Sequence, residues 1–158
     1  MTYFNQKEAE TILINAIMNY RPLLKATPLD SIFTISNLMK KGKVSSIIII
    51  DQHTIPFGII TERDIVRRVI SESKDPKITK ATDIMSKPLI TVQEDIHLFD
   101  VTKKMVKYKI RRLPVVNDNN TLVGIVTITD IIKYYYEKNK DDNYLAKAMI
   151  RYGKYWEE

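Results

Sequence analysis

Apolar positions form two kinds of pattern along the chain, and each kind predicts a different element. Spacing of three or four residues, together with helix start and stop signals, predicts helices over residues 7–19, 30–41, 82–85 and 96–108 and from positions 61 and 127 onward. Short runs rich in β-branched residues predict strands over 45–50, 55–60, 113–116 and 122–126, with extended pieces at 23–24 and 89–92. Asp30 is the expected N-cap of the second helix, and Gly42 is its expected stop. This order of elements indicates an α/β protein.

Much of the chain repeats itself after 66 residues without a gap. Residues 58–64 read GIITERD and residues 124–130 read GIVTITD, and the same offset relates Pro22 to Pro88, Phe33 to Phe99 and Met39 to Met105. An internal repeat of this kind predicts a repeated structural unit. Because two copies are too few for a solenoid, we expect a pseudo-twofold pair. The predicted organisation is a first repeat over 7–72, a second over 73–137, and a helical tail over 138–158.

Composition sets limits on the class of protein. The chain has 158 residues, of which 44% are hydrophobic and 28% charged, as in soluble globular proteins. Each half alone would be marginally stable, so we expect a shared core. No apolar run approaches the roughly 18 residues that a membrane span needs, and the N-terminus lacks a signal-peptide pattern. Cysteine is absent, which excludes thiolate chemistry and fits an intracellular protein. Together with the lack of a membrane span, this leads us to expect a cytoplasmic protein with no membrane partner.

The net charge of +6 favours an anionic partner without choosing among nucleotides, RNA, DNA and acidic proteins. His53 and His97 have no partners at metal-ligand spacing, and four glycines are too few for a phosphate-binding glycine-rich loop. No nucleophile motif is present. We therefore expect a protein that is not an enzyme and that carries no metal or cofactor.

The repeated Thr-x-x-Asp motif has two interpretations. As a capping box, Thr61 and Thr127 would cap a helix start, with Asp64 and Asp130 near its positive end. As a binding site, hydroxyl and N–H groups would suit a phosphate, while a fixed carboxylate would suit the vicinal diol of a ribose. The duplication and the preceding glycines favour a nucleotide site.

The Gly-x-x-Thr-x-x-Asp signature, the 113–116 strand (LPVV) and the order of elements resemble those of tandem cystathionine β-synthase (CBS) domains. The resemblance covers about residues 7–137. It implies two β-α-β-β-α repeats with an N-terminal helix, and a cleft with two related sites for AMP, ADP, ATP or another adenosyl ligand such as S-adenosylmethionine. It also implies a homodimer formed through the helices and a regulated protein partner.

Site residues follow from the resemblance. Thr61 and Asp64 would hold phosphate and ribose at one site, and Thr127 and Asp130 would do so at the other. The remaining expected ligand contacts are Arg63 and Thr129 in the signatures, with the adenine-binding segments Leu24, Lys25 and Ala26 and Ile90, Thr91 and Val92.

The two sites need not be equivalent. Arg111 and Arg112 precede the second-copy strand where the first copy has Ser45 and Ser46. In related pairs, basic residues here reach phosphates held at the other copy's Asp, so Asp64 is expected to bind a phosphorylated nucleotide. The alternative is that both arginines decorate a strand entrance.

A function of a different class stays open. Tyrosines and Trp156 in the tail alternate with lysines and Arg151, a composition that also suits single-stranded nucleic acid. Acidic residues nearly cancel the charge of the tail, so packing on a partner subunit is the favoured interpretation. The alternative function is therefore a nucleic-acid-binding or scaffold protein.

Overall fold

The computed structural model describes residues 6–18 and 23–138, and these form a mixed α/β fold with two repeated units. The first copy contains β1 (Lys25–Ala26), α2 (Ile32–Gly42), β2 (Ser46–Ile50), β3 (Pro56–Thr61), α3 (Glu62–Ile65) and a π-helical turn (Val66–Ile70). The second contains α4 (Ala81–Ile84), β4 (Val92–Gln93), α5 (Leu98–Lys107), β5 (Arg112–Val116), β6 (Leu122–Thr127) and α6 (Ile128–Lys138). Before them come α1 (Gln6–Ala9) and a 3₁₀ turn (Ile14–Ala16). The predicted α/β fold is confirmed.

Each copy builds a three-stranded sheet, in the orders β1-β2-β3 and β4-β5-β6. In the first sheet β1 is parallel to β2, with Lys25 opposite Ile48. Strand β2 is antiparallel to β3, with Ser46 opposite Thr61. Residues 47–49 are buried, as expected of a continuous isoleucine run in a strand covered on both faces. This register places the end of β3 beside the start of β2, at the end of the sheet from which the chain enters β1.

Helix α2 covers the first sheet through Ile32, Ile35 and Met39. Its start differs from the prediction, because Ser31 is the N-cap and accepts a hydrogen bond from the Thr34 N–H at 3.2 Å. The Asp30 carboxylate instead accepts from the backbone N–H of Thr27 at 2.6 Å and closes the preceding turn.

The end of α2 also differs from the prediction. Gly42 is its last helical residue, and Lys43 is the residue that adopts the left-handed conformation, with φ 51°. Gly42 is needed for a different reason, since a Cβ there would collide with the Leu24 side chain.

The predicted helix over 7–19 is wrong. Within the described residues 6–18, only Gln6–Ala9 and Ile14–Ala16 are helical, and Leu13 between them is extended and paired with His97. The Ile14 N–H donates to the Ile96 carbonyl at 2.9 Å, and the Leu98 N–H donates to the Ile12 carbonyl at 2.8 Å. These bonds satisfy the backbone that a continuous helix would have satisfied internally, so tertiary pairing overrides helix propensity.

The chain divides into two compact units, and the residues of each unit do not coincide with one repeat of the sequence. The described residues 6–18 belong with 92–115 and 123–138, whereas 23–91 belong with 116–122. The second of these units repeats the pairing seen at Leu13, since Ser31 pairs with Lys80 and the Ile32 N–H donates to the Thr79 carbonyl at 2.9 Å. Each helix α2 or α5 therefore begins against a stretch that lies elsewhere in the chain. The predicted boundaries at 72/73 and 137/138 stay predictions, and the tail from 139 lies outside the described residues.

A methionine and a glycine meet in each unit. Gly58 on β3 faces Met85, whose Sδ would lie 2.8 Å from an added Cβ, and Gly124 on β6 faces Met18 in the same way and still more closely. Beside the first contact, Ser86 and Ile59 exchange backbone hydrogen bonds of 2.9 and 3.2 Å. The glycines of the repeated motif therefore admit a methionine, which the sequence pattern did not predict.

The helix after Thr61 changes its winding. The Ser71 N–H donates to the Val66 carbonyl at 2.9 Å, a π-type bond spanning five residues. Among the apolar residues of this helix, Val69 is buried, but Val66 and Ile70 are 58% and 61% exposed. By contrast, α6 in the second copy is a regular α-helix.

We predict that Gly58→Ala lowers the free energy of unfolding by about 1–3 kcal/mol, because the added methyl group overpacks against Met85. Urea denaturation of Gly58→Ala, Met85→Ala and the double variant measures this. The cost of the glycine substitution should be smaller in the Met85→Ala background, since the shorter side chain leaves room. Strictly additive effects would contradict the contact.

Candidate ligand-binding site

Thr61 and Asp64 form a reciprocal capping box at the end of β3. Asp64 Oδ2 accepts from the Thr61 N–H at 2.9 Å and from the Thr61 hydroxyl at 2.6 Å. The Asp64 N–H in turn donates to Thr61 Oγ1 at 3.2 Å. Strand β3 ends here because the cap redirects the backbone into a helix.

The second copy reproduces this geometry closely. Asp130 Oδ2 accepts from the Thr127 N–H at 2.8 Å and from the Thr127 hydroxyl at 2.7 Å. The Asp130 N–H donates to Thr127 Oγ1 at 3.2 Å. The capping interpretation is therefore confirmed at both motifs.

The cap assigns different tasks to the two carboxylate oxygens. In both copies Oδ2 takes both capping bonds, while Oδ1 takes no part in the cap. Each threonine hydroxyl already donates its single proton to the carboxylate, so in this geometry it can accept another hydrogen bond but cannot donate one. A phosphate, which only accepts, would need the hydroxyl to turn away from the aspartate.

Each motif is held beside the start of the neighbouring strand of its own copy. The Glu62 N–H donates to the Ser45 carbonyl at 3.2 Å, and the Ile128 N–H donates to the Arg111 carbonyl at 2.9 Å. The backbone of Arg111 thus lies next to the Thr127 motif of its own copy. Whether Arg111 and Arg112 reach the other copy's aspartate stays a prediction.

The predicted adenine-binding segment of the first copy is only partly open. Leu24 packs on Gly42 and on the core, and Ala26 is buried. Lys25 is half-buried and pairs with Ile48, two strands from β3. Adenine contacts from this segment would therefore come from backbone groups and Lys25 rather than from the Leu24 and Ala26 side chains.

In the second copy the corresponding segment straddles the boundary of the two units. Ile90 and Thr91 are half-buried and belong with the first-copy sheet, whereas Val92 is buried and begins β4. The remaining predicted contacts in the signatures, Arg63 and Thr129, are exposed. Their roles as ligand contacts stay predictions.

Arg68 was not predicted as a site residue. Its Nε lies 3.7 Å from Asp64 Oδ1, and its Nη1 donates to the Ile84 carbonyl at 2.6 Å. The i, i+4 spacing from Asp64 was an available signal, but that spacing also describes an ordinary solvated helix face.

Metal and membrane features are absent from the part of the chain that the structure describes. Residues 6–18 and 23–138 contain no cluster of three or more His, Asp or Glu side chains suited to a metal ion. None of the helices in these same ranges combines the length and apolar character that crossing a membrane requires.

Comparison with known proteins identifies the family. A model of the CBS domain matches residues 14–71 and again residues 81–137. The chain belongs to the CBS-domain family.

Two sequence relatives match this chain over only part of their own length. An uncharacterized protein of Methanopyrus kandleri is 42% identical over 113 residues, covering 72% of this chain and 58% of that protein. Inosine-5'-monophosphate dehydrogenase of Methanocaldococcus jannaschii is 28% identical over 127 residues, covering 80% of this chain but only 23% of the enzyme. The chain therefore spans less than two thirds of both, and the similarity to the dehydrogenase is confined to about a quarter of that enzyme.

Solved CBS-domain structures match the fold and include ligand complexes. The CBS domain pair of protein MJ0100, in complex with 5'-methylthioadenosine and S-adenosyl-L-methionine, is 32% identical with a TM-score of 0.72, covering 80% of this chain and 98% of that one. A CBS domain protein from Pyrobaculum aerophilum complexed with AMP is 26% identical with a TM-score of 0.69, covering 75% and 89%. Both complexes hold adenosyl compounds.

We predict that Asp64→Ala and Asp130→Ala each lower the free energy of unfolding by about 1 kcal/mol without ligand, because each removes a helix cap. Urea denaturation measures the change. Asp83→Ala is a matched control, since Asp83 caps α4 by accepting from the Lys80 N–H at 2.8 Å outside either motif. Unchanged stability in both motif variants would mean that the caps contribute nothing to folding.

Proposed function

We propose that this chain is a regulatory module that binds adenine nucleotides or related adenosyl ligands and performs no catalysis. The ligands are AMP, ADP or ATP, with S-adenosylmethionine as a further candidate. Thr61 and Asp64 form one site, and Thr127 and Asp130 form the other. A cytoplasmic location and a regulated protein partner are parts of the same proposal.

The observation that carries the proposal is that only one oxygen of each aspartate carboxylate makes the capping hydrogen bonds. Asp64 and Asp130 are fixed by their caps through Oδ2, so Oδ1 is presented in a defined orientation at a sheet end. A carboxylate that is already immobilised loses little entropy when it accepts hydrogen bonds from a ribose diol. The ligand complexes of related CBS proteins support adenosyl compounds as the class.

The first site is proposed to prefer phosphorylated nucleotides. Arg63 lies within the Thr61–Asp64 motif, where the second copy has Thr129. Arg111 and Arg112 would add two further cations from the other copy, whereas Ser45 and Ser46 would serve the Asp130 site. The second site is then weaker for phosphorylated ligands or takes a less charged adenosyl compound.

Signalling requires that ligand binding favours one arrangement of the protein over another. We propose that the readout is a homodimer, or a partner protein, that contacts the helices. Val66 and Ile70 supply an apolar strip one helical turn apart that is more than half exposed in the chain alone. Burying these two side chains in a dimer would remove apolar surface from water, which favours association.

Calorimetry with AMP tests the proposed sites. Asp64→Ala should weaken AMP binding by about 10- to 100-fold, because a charged hydrogen-bond acceptor is lost. Asp130→Ala should affect AMP much less, and Asp51→Ala should leave the affinity unchanged, since the Asp51 carboxylate accepts from the His53 N–H at 2.8 Å in a turn outside both motifs.

Two results would count against the proposal. Equal losses in Asp64→Ala and Asp130→Ala would refute the asymmetry of the sites. If AMP, ADP, ATP and S-adenosylmethionine all leave the melting temperature unchanged while RNA or DNA is retained in a salt-sensitive manner, the nucleic-acid alternative is favoured.

The proposed dimer has a separate test. Val66→Asp should shift the protein from dimer to monomer in sedimentation equilibrium, because a carboxylate would have to be desolvated in the interface. Ile78→Asp is the control, since Ile78 is 75% exposed but belongs to the connecting segment that joins residue 70 to α4 along the chain. If Ile78→Asp alone dissociates the dimer, the interface lies at the segment 71–80 and not at Val66.

A further inference from the structure

Arg68 joins two acceptors on different elements of the compact unit that contains residues 23–91 and 116–122. At one end its Nε lies 3.7 Å from Asp64 Oδ1, the oxygen that the cap leaves out. At the other end its Nη1 donates to the Ile84 carbonyl at 2.6 Å. The Asp64 side chain is 14% exposed and that of Arg68 is 45% exposed, so the pair lies at the edge of solvent within reach of a ligand.

The Ile84 carbonyl anchors a stretch of chain that leads from the first site to the second. Ile84 is the last residue of α4, where carbonyl groups lack helical partners and attract cations. The next two residues are fastened to β3, since Met85 packs on Gly58 and Ser86 exchanges hydrogen bonds with Ile59. From there the chain continues to residues 90–92, the predicted adenine-binding segment of the second site.

The equivalent position of the second copy carries a side chain of different chemistry. The residue 66 positions after Arg68 is Tyr134, whose ring stacks edge-on against Tyr135 with 5.6 Å between centroids. A phenol has a single O–H donor, whereas a guanidinium has five N–H donors in a planar fork. A neutral phenol therefore cannot both form an ion pair with a carboxylate and donate to a carbonyl, whereas Arg68 does both.

We propose that Arg68 is a positioning residue that orients Asp64 Oδ1 for the ligand and transmits occupancy of the first site to the segment 84–92. A diol that donates to Oδ1 competes with the Arg68 guanidinium for this oxygen and weakens the ion pair. The same guanidinium donates to the Ile84 carbonyl, so its displacement moves the segment 84–92. Because coupling between binding equilibria is reciprocal, a ligand at the second site influences the first through the same residue. The ligand-dependent part rests on the proposed function, whereas the anchor at Ile84 does not.

The test uses the full chain, AMP as the probe, and Arg68→Met, which keeps an aliphatic side chain but removes the charge. Arg67→Met is the matched control, because Arg67 is an exposed neighbour with the same charge. Without ligand, amide hydrogen exchange at Ser86 and Ile59 should rise about fivefold or more in Arg68→Met and should be unchanged in Arg67→Met. Equal exchange in the two variants overturns the anchor.

The ligand arm is performed in the Asp130→Ala background, which isolates the first site. Arg68→Met should weaken AMP binding about tenfold, and Arg67→Met should change it less than about twofold. At saturating AMP, exchange at Ser86 should slow in the Arg68 protein and should not respond in Arg68→Met. An equal response in both overturns the transmission.

Arg68→Lys separates geometry from charge. Lysine keeps the positive charge on a compact ammonium group but lacks the planar guanidinium that reaches two acceptors. Arg68→Lys should therefore restore less than half, in log Kd, of the AMP affinity that Arg68→Met loses. Full restoration of AMP affinity in Arg68→Lys would overturn the proposal that Arg68 acts through both Asp64 and the Ile84 carbonyl. If the Arg68 protein itself fails to bind AMP, the proposed function and the ligand half of this inference both fail, while the exchange measurement still decides the anchor.

Discussion

At each motif one oxygen of the aspartate carboxylate caps a helix, and the proposed binding role falls to the other oxygen. Asp64 Oδ2 holds the Thr61 backbone and hydroxyl, which ends β3 and begins the following helix. The same two bonds prevent the carboxylate from rotating, so Oδ1 has a defined direction. Folding and the proposed recognition therefore draw on the same side chain. This is why the capping and binding interpretations of the motif do not exclude one another.

The motif also depends on residues distant in sequence. A side chain at position 58 would crowd Met85, which follows α4, and one at position 124 on β6 would crowd Met18 in the same way. Each signature strand is thus supported by a methionine from a lead-in stretch, and the stretch 6–18 belongs with the second-copy sheet. The chain order of the repeats consequently differs from the grouping of residues in space. A variant in a lead-in stretch should be interpreted with the sheet that it supports.

The strands, the caps and the repeat were predictable from local signals. The isoleucine run at 47–50 and the Thr-x-x-Asp spacing each depend on neighbours within a few residues, and the doubled motif supplied an internal check. The N-terminal helix was mispredicted because Leu13 pairs with His97, a partner 84 positions away that no window of periodicity contains. Arg68 was missed for a related reason, since its decisive partner is a backbone carbonyl at Ile84 that carries no sequence signature.

The two motifs have nearly the same capping geometry, so any difference between the sites must come from their surroundings. Arg63 replaces Thr129, and Arg68 replaces Tyr134, both on the first-copy side. Both differences add positive charge near Asp64, which favours anionic ligands there independently of Arg111 and Arg112. Arg68 differs from Arg63 in also holding a carbonyl of another element. In the proposed mechanism Arg68 thereby links charge at the first site to the position of the Ile84 backbone, and this link would convert ligand binding into a change of protein conformation.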